Sequence, residues 1–178
     1  MPLIGVLGKV EVHVRDASTG RIVKKLETRN TLTNALIPEL IRTMQSGRNR
    51  FLFRAPEFEA RSYWYMALGT GVGTPSPSDT DLFAVVEPSV KHGSLMAYPD
   101  AGSVMYWVRY LPEDANGYTF TEVGVYDMVP YSYVGGVGWV PQPYTSGSLI
   151  NHALLPEPIY KTGTILLDVY VTIQLSIA

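Results

Sequence analysis

The sequence predicts a mainly β protein: an antiparallel β-sandwich of jelly-roll-like form with one short α-helix. Its final stretch, Ile165–Ile177, alternates apolar and polar side chains, and Leu166 is the single aliphatic exception. Successive side chains of a strand point to opposite faces, so this period of two predicts one long strand. Shorter alternating stretches, separated by turn residues, precede it, and this arrangement favours an antiparallel sandwich or barrel.

The composition is typical of a β-rich, turn-rich chain with an amphipathic surface. Of the 178 residues, 16 are Gly, 13 are Pro and 12 are Tyr, and 17% are charged. Tyr is favoured on surfaces that a partner will cover, because its ring buries area while its hydroxyl stays hydrated. The net charge of −2 argues against a nucleic-acid partner, which requires a basic patch. Because Cys is absent, neither a disulfide nor a thiolate metal site is possible.

The N-terminal residues 1–8 are apolar, but they are too few for a signal peptide or a transmembrane helix. We expect them to form an arm that packs on its own domain or on a neighbouring subunit, through Leu3, Ile4 and Val6. Residues 9–178 are predicted to form a single domain, since no linker divides the chain and its length suits one domain. We expect no membrane partner and synthesis in the cytoplasm.

The sequence of residues 10–28 predicts a β-hairpin. Val10, Val12 and Val14 alternate with polar residues, a turn ending in Gly occupies residues 16–20, and residues 21–28 return as the second strand.

The helix is predicted directly after this hairpin. Four apolar residues have the i, i+3, i+4, i+7 spacing of one helical face: Ile37, Leu40, Ile41 and Met44. Thr33 or Asn34 can cap its start, and Gly47 ends it. Residues 48–61 are mixed and basic, which indicates a loop or a short edge strand.

The rest of the chain contains five further predicted strands, at residues 63–68, 103–111, 118–126, 148–155 and 165–177. Asn116 and Gly117 form a strong hairpin-turn signal between two of these strands. Two stretches have no period: residues 69–81 have the chemistry of a loop, and residues 128–148 form a long excursion rich in Gly, Pro and aromatic residues. Residues 156–158, which contain two prolines, join the closing strands.

The glycine-rich segment 69–73 invites comparison with a phosphate-binding loop, because glycines let backbone N–H groups approach an anion. A dinucleotide site needs Gly-x-Gly-x-x-Gly opening a helix, and a triphosphate loop ends in Gly-Lys-Ser/Thr. Here Thr74 stands where the third glycine belongs, and Pro75 and Pro77 follow. We therefore predict a mobile loop between strands and no cofactor.

No metal site is predicted. Asp79 and Asp81 offer oxygen ligands, but their surroundings lack the glycine and the distal glutamate of a calcium loop. Capping of a turn by Asp79 explains this segment better. The three histidines, His13, His92 and His152, are far apart and do not have the spacing of zinc ligands.

No catalytic residue is predicted either, so we expect the chain not to be an enzyme. Glu113 and Asp114 fall in the predicted hairpin turn, where carboxylates are solvated. Glu122 lies in an apolar strand, and no second carboxylate has a predicted place beside it, as glycosidase chemistry requires. We expect Glu122 to face solvent or to pair with Arg109 across the sheet. No serine occupies a Gly-x-Ser-x-Gly elbow.

Two segments together resemble the small structural proteins of tailed-bacteriophage virions. Residues 65–71 followed by residues 75–82 are similar to the "ALGTG…PSxSDTxL" segment of those proteins. Residues 119–127 are similar to their "fxEvGlfd" strand, which tail-fibre modules share. The order of the other features agrees as well: a Val-rich hairpin, an Asn-rich junction at residues 30–34, a helix, and a closing strand that begins Lys-x-Gly at residue 161.

The resemblance implies a non-enzymatic structural component of a phage virion, made in the host cytoplasm and bound to neighbouring virion proteins. A tail or neck appendage, or its attachment point, is the first expectation, with a homo-oligomer (trimer or higher) as its form. A capsid decoration (cement) protein that stabilises the head shell is the alternative. A second alternative is a receptor- or carbohydrate-binding module of a tail fibre, which would bind a host receptor glycan.

Two stretches have no counterpart in the resembled proteins, and we expect them to carry the contacts peculiar to this chain. They are the basic residues 48–61 and the aromatic insertion at 128–148. The residues that we predict at an interface in these stretches are Arg48, Arg50, Arg54, Tyr131, Tyr133, Trp139 and Tyr144. Stacking of the aromatic residues on sugar rings is the alternative interpretation.

Overall fold

Strands account for almost all of the regular structure. The computed structural model describes residues 4–36, 63–98, 103–128, 131–134, 138–141 and 147–177. Its strands are β1 Ile4–Asp16, β2 Ile22–Arg29, β3 Thr31–Leu32, β4 Tyr63–Gly69, β5 Lys91–His92, β6 Ser94–Tyr98, β7 Ser103–Tyr110, β8 Thr119–Met128, β9 Tyr131–Val134, β10 Gly138–Pro141, β11 Ser148–Tyr160 and β12 Ile165–Ile177. A short 3-10 helix spans Glu87–Ser89. The predicted helix at residues 37–47 and the basic stretch 48–61 lie outside the described residues.

The strands form two five-stranded antiparallel sheets and one separate hairpin. Sheet A has the order β2-β1-β12-β7-β6, and sheet B has the order β3-β11-β8-β4-β5. Apolar side chains from both sheets join in one buried cluster, to which β1, β7 and β12 contribute from sheet A and β4, β8 and β11 from sheet B. The predicted mainly β class is confirmed, and the shared core is that of a sandwich.

The long strand predicted at the end of the sequence is confirmed and lies at the centre of sheet A. Strand β12 pairs with β1 along its whole length and with β7 on its other side. One face of β12 supplies four core residues: Leu167, Val169, Val171 and Ile173. The first residues of β1, within the predicted N-terminal arm, pair with the end of β12 in the same chain.

The turn at Asn116 and Gly117 does not close a hairpin, contrary to the prediction. Strand β7 belongs to sheet A and β8 belongs to sheet B, so the chain crosses between the sheets here. Ala115 and Gly117 take positive φ values of 44° and 85°. The ammonium group of Lys161 fills this turn, and it donates hydrogen bonds to three oxygens: Pro112 O at 3.2 Å, Asn116 Oδ1 at 3.1 Å and Thr162 O at 3.0 Å.

Two further boundaries differ from the sequence prediction. Strand β11 continues through the two prolines to Tyr160, because its pairing with β8 shifts register between Leu154 and Ile159 and so needs no N–H from them. The aromatic excursion is not irregular throughout, since β9 and β10 form an antiparallel hairpin in which Trp139 pairs with Tyr133.

Both ends of the described chain, and the connections before β4 and after β8, lie at the same end of the sandwich, which we call the terminal end. In sheet A, Ile4 pairs with Ile177. In sheet B, Tyr63 pairs with Met128, so the connections that precede β4 and follow β8 start from one edge. The chain passes from β2 into β3 without reversing direction, so these two edges lie at the same end of the molecule.

Candidate functional site

The most extensive polar cluster among the described residues surrounds Glu122. Val123 and Val125 face the core, so Glu122 points to the opposite face of sheet B, beneath residues 70–86. Its side chain is fully buried. Its Oε1 atom accepts hydrogen bonds from the N–H groups of Gly71 (2.9 Å) and Ala84 (2.8 Å), and Oε2 accepts one from Phe83 (3.0 Å).

The expectation for Glu122 was therefore wrong. It neither faces solvent nor pairs with Arg109, because the loop after β4 folds back over sheet B and covers it. Arg109 instead binds Asp168, to which its Nε atom donates at 2.6 Å. Arg15 binds the same carboxylate from the other side, at 2.7 Å from its Nε atom. Asp168 is fully buried on the outer face of sheet A, and it was not among the site residues predicted from the sequence.

His152 connects Glu122 to the loop a second time. Its Nε2 atom lies 2.9 Å from Glu122 Oε2, and its Nδ1 atom lies 2.6 Å from Asp79 Oδ2. The ring is fully buried and contacts the ring of Phe83, with the centroids 4.7 Å apart. Asp79 also accepts a hydrogen bond from the N–H of Ser76 at 2.9 Å, so the predicted turn capping is confirmed. The site is thus a chain of Asp79, His152 and Glu122.

Both buried groups at the centre of this chain are held in their charged forms. Burial alone raises the pKa of Glu122, but hydrogen bonds from His152 and from the N–H groups of Ala84, Phe83 and Gly71 outweigh it, so its pKa falls below 4.5. Burial alone lowers the pKa of His152, but its bonds to Glu122 and Asp79 outweigh that penalty, so its pKa rises above 6.5. The result is an imidazolium between two carboxylates.

Additional contacts fix the rest of the loop on sheet B. The hydroxyl of Tyr126 donates to Asp81 and accepts from the N–H of Leu82 at 3.1 Å. The hydroxyl of Ser89 donates to the carbonyl of Leu68 at 3.0 Å and accepts from its N–H at 2.8 Å. The loop is therefore held on sheet B by hydrogen bonds at residues 71, 79 and 81–84, which differs from the mobile loop that the sequence predicted.

The glycines of the loop are required because its backbone approaches Glu122 closely. A Cβ atom on Gly69 would lie 2.3 Å from Glu122 Oε1 and 2.7 Å from the carbonyl oxygen of Ala84. A Cβ atom on Gly71 would lie 2.6 Å from the same carboxylate oxygen. Within the glycine-rich segment, the N–H of Gly71 thus already binds an anion, which is the carboxylate of Glu122, and the N–H of Thr70 binds the carbonyl of Ala84.

We expect Gly69→Ala to lower the free energy of unfolding by about 1–3 kcal/mol, the usual cost of overpacking a buried position. Gly163→Ala is the control, since a Cβ there meets no atom closer than 3.8 Å. Urea denaturation followed by tryptophan fluorescence measures both variants. Equal stability of the two variants would show that the close approach of the loop to Glu122 is not present in solution.

The arrangement offers little catalytic chemistry. Both ring nitrogens of His152 are engaged with carboxylates, so neither is free to take a proton from a substrate. In the part of the chain that the structure describes, no group of three or more His, Cys, Asp or Glu residues can hold a metal ion. The cluster instead fixes the position of a loop.

The sequence signal for this cluster was present but divided among distant segments. Glu122 and Asp79 belong to the two segments that carry the phage resemblance, and the hydrogen bond from the N–H of Gly71 to Glu122 joins those segments directly. His152 lies in β11, outside both segments, and nothing in its local sequence indicates its partners. An acidic residue in an otherwise apolar strand was the usable signal, because such a residue requires donors when it is buried.

Half of the predicted interface residues lie outside the described structure. The residues concerned are Leu3, Arg48, Arg50, Arg54 and Tyr144. For Tyr131, Tyr133 and Trp139 the structure gives the backbone pairing of the β9–β10 hairpin. Ile4 begins β1, and Val6 is partly buried against the core cluster. Among the hydrogen bonds of the Glu122 cluster given for the described residues, none involves a predicted interface residue.

Comparison with protein-family models, with curated proteins and with solved structures found no match for this chain. Across residues 4–36, 63–98 and the later described segments, no helix is long and apolar enough to cross a membrane.

Proposed function

We propose that this chain is a non-enzymatic structural protein of a tailed-phage virion, which binds neighbouring virion proteins in a tail or neck appendage or at its attachment point. The observation that carries the proposal is the contact between the two phage-like segments. Glu122 of the second segment binds the backbone of the first at Gly71, and Asp79 of the first segment binds His152, which binds Glu122 in turn. The two similar segments therefore contact each other and form one structural unit. Two unrelated chance matches would have no reason to lie in contact.

The chemistry of the cluster supports a structural role over a catalytic one. A catalytic acid or base must reach a substrate, but Glu122 and His152 are fully buried and their polar atoms are occupied. Their charges fix the position of a loop, and this is a role that a buried ion cluster can have in a structural protein.

The position of the terminal end supports an attachment role. The chain leaves the described sandwich there before β4 and after β8, and these exits lead to the two stretches that have no counterpart in the resembled proteins. The end of β12 lies there too, paired with the start of β1. The exits toward those two stretches and the paired ends of β1 and β12 therefore lie on one side of the described sandwich, which suits a subunit that is fixed at one end.

Quantitative mass spectrometry of purified particles of the phage that encodes the chain tests the proposal. A copy number far below that of the major capsid protein supports an appendage. A copy number that matches the shell subunits supports the alternative, a decoration protein on the head. Absence of the chain from the particles would overturn both assignments.

Trp139 is the best single residue for testing the interface, because large aromatic side chains dominate interface energetics. We expect Trp139→Ala to leave the domain folded while weakening its self-assembly or its incorporation into particles. Circular dichroism checks the fold, and light scattering and particle composition check assembly. Ser132→Ala in the paired strand is the control for disturbance of the hairpin. Assembly equal to that of the wild type would show that Trp139 is not part of the interface.

The second alternative, a glycan-binding module, is supported by the register of the hairpin. Trp139 pairs directly with Tyr133, and Tyr131 pairs with Pro141, so the register places three aromatic residues within one short hairpin. Aromatic residues in such an arrangement are typical of sugar-binding surfaces. Binding of the isolated protein on a glycan array, lost in Trp139→Ala, would favour this function over the subunit interface.

A further inference from the structure

The hydrogen bonds of His152 require a particular protonation state. A carboxylate only accepts hydrogen bonds, and both ring nitrogens lie within hydrogen-bond distance of carboxylate oxygens, Asp79 Oδ2 and Glu122 Oε2. Both nitrogens must therefore donate, which only the imidazolium form can do. A neutral imidazole has one N–H, so it places a lone pair against one of the two carboxylates.

The two carboxylates differ in what else holds them. Glu122 is fully buried and accepts three backbone N–H groups besides the ring of His152. The side chain of Asp79 is 15% exposed, and its other partner is the N–H of Ser76. When His152 becomes neutral, Asp79 can turn toward water at little cost, whereas Glu122 cannot.

The turn that contains Asp79 is connected to the terminal end. The N–H of Asn34, just past β3, donates to the carbonyl of Pro77 at 2.7 Å. Residues 77–80 and Asn34 also form walls of one cavity of about 270 Å³, which Leu149 lines from sheet B. Movement of the turn therefore changes both this cavity and the anchoring of the chain where it leaves β3.

We propose that His152 is a proton-operated latch, which holds the turn at residues 76–81 on sheet B while the imidazole is charged and releases the Asp79 end when it is neutral. Three groups face the ring among the described residues: the carboxylate of Asp79 from the loop, the carboxylate of Glu122 from β8, and the uncharged ring of Phe83. The ring of His152 thus has one proton to lose, and the carboxylate of Asp79 is the weakly held partner that it then releases.

The direction of the pH dependence follows from linkage. The pKa of His152 is raised in the closed state above its ordinary value of 6.5. Release of Asp79 removes one of the two carboxylates that raise this pKa, so the pKa of His152 is lower in the open state than in the closed state. The stabilisation of the closed turn is therefore complete below the open-state pKa and is lost as the pH rises through the closed-state pKa. Between these two pKa values the ratio of closed to open turn falls by about tenfold per pH unit.

NMR of the isotope-labelled chain tests the latch, with a titration that starts below pH 6.5 and continues upward. The ring nitrogens of His152 should both carry protons at the start and lose one during the titration. Hydrogen-exchange protection of the Ser76 amide should fall about tenfold per pH unit over the same range. The amides of Gly71 and Ala84, which bind Glu122 Oε1, should keep their protection.

Two variants separate the latch from a general effect of pH. Asp79→Asn removes one carboxylate, so the pKa of His152 should fall and the pH dependence of Ser76 exchange should flatten. Asp81→Asn lies in the same loop but contacts Tyr126 and not His152, and it should keep the wild-type dependence. A neutral ring at the acidic start, or Ser76 protection that stays constant while His152 titrates in the unmodified chain, overturns the proposal whether or not the variants fold.

Discussion

Val171→Asp is expected to abolish folding of the soluble protein. Val171 is almost fully buried in the middle of β12, where it pairs with Val10 on one side and Tyr106 on the other. A carboxylate without partners at this position costs several kcal/mol, which is comparable with the total stability of about 5–15 kcal/mol of a typical domain. The soluble fraction after expression and the near-ultraviolet circular dichroism spectrum measure the result.

Thr172→Asp is the matched control, because the adjacent side chain points to the other face of sheet A. Its cross-strand neighbour is Lys9, whose charge is opposite to the new one. This variant should fold with nearly unchanged stability. If both variants fold equally well, the assignment of the buried face of β12 is wrong.

Glu122→Ala is expected to lower the free energy of unfolding by about 3–5 kcal/mol, the usual cost of removing one partner of a buried ion pair. The substitution leaves the imidazolium of His152 with one carboxylate, and it leaves the N–H groups of Gly71, Phe83 and Ala84 without their acceptor. Urea denaturation at a pH between 4.5 and 6.5, where both Glu122 and His152 hold their native charges most fully, gives the largest difference.

Glu157→Ala provides the comparison for Glu122→Ala. Glu157 also pairs with a cation, Lys24 at 2.9 Å, but both side chains of that pair are well exposed. Such a surface pair contributes about 0–1 kcal/mol. Glu122→Gln then separates shape from charge, since its amide oxygen can still accept while its NH₂ group opposes the N–H of Phe83. A loss no larger in Glu122→Ala than in Glu157→Ala contradicts the buried cluster.

The strands were predictable because each depends on a local period of two. In β7 the residues Tyr106, Val108 and Tyr110 are buried, as their alternation indicates. The partners of a strand are not local, and for that reason the turn before β8 was wrongly predicted to close a hairpin. The Asn-Gly signal correctly marks the position of a turn, in which Gly117 takes a positive φ, but it does not specify whether the next strand joins the same sheet.

The candidate site was less predictable than the strands. The sequence indicates the outward face of β8, because Glu122 alternates with the apolar residues Val123 and Val125, but it gives no sign that a loop returns over that face. Exposure and deep burial are therefore equally compatible with the local pattern at Glu122. Burial of its carboxylate depends on Phe83 and Ala84 from the loop and on His152 from β11. These residues and Glu122 come from three segments that are distant in sequence, so only the folded structure shows that they are in contact.

The central position of β12 has a consequence for how the molecule is made. Strand β1 can pair early with β2, and β6 can pair early with β7, because short connections join the members of each pair. Only β12 joins those two hairpins into sheet A, and it comes after them in synthesis. Isolated two-stranded ribbons are marginally stable at best, so the growing chain exposes two unpaired edges until β12 arrives. Aggregation and chaperone capture therefore compete with folding throughout that interval.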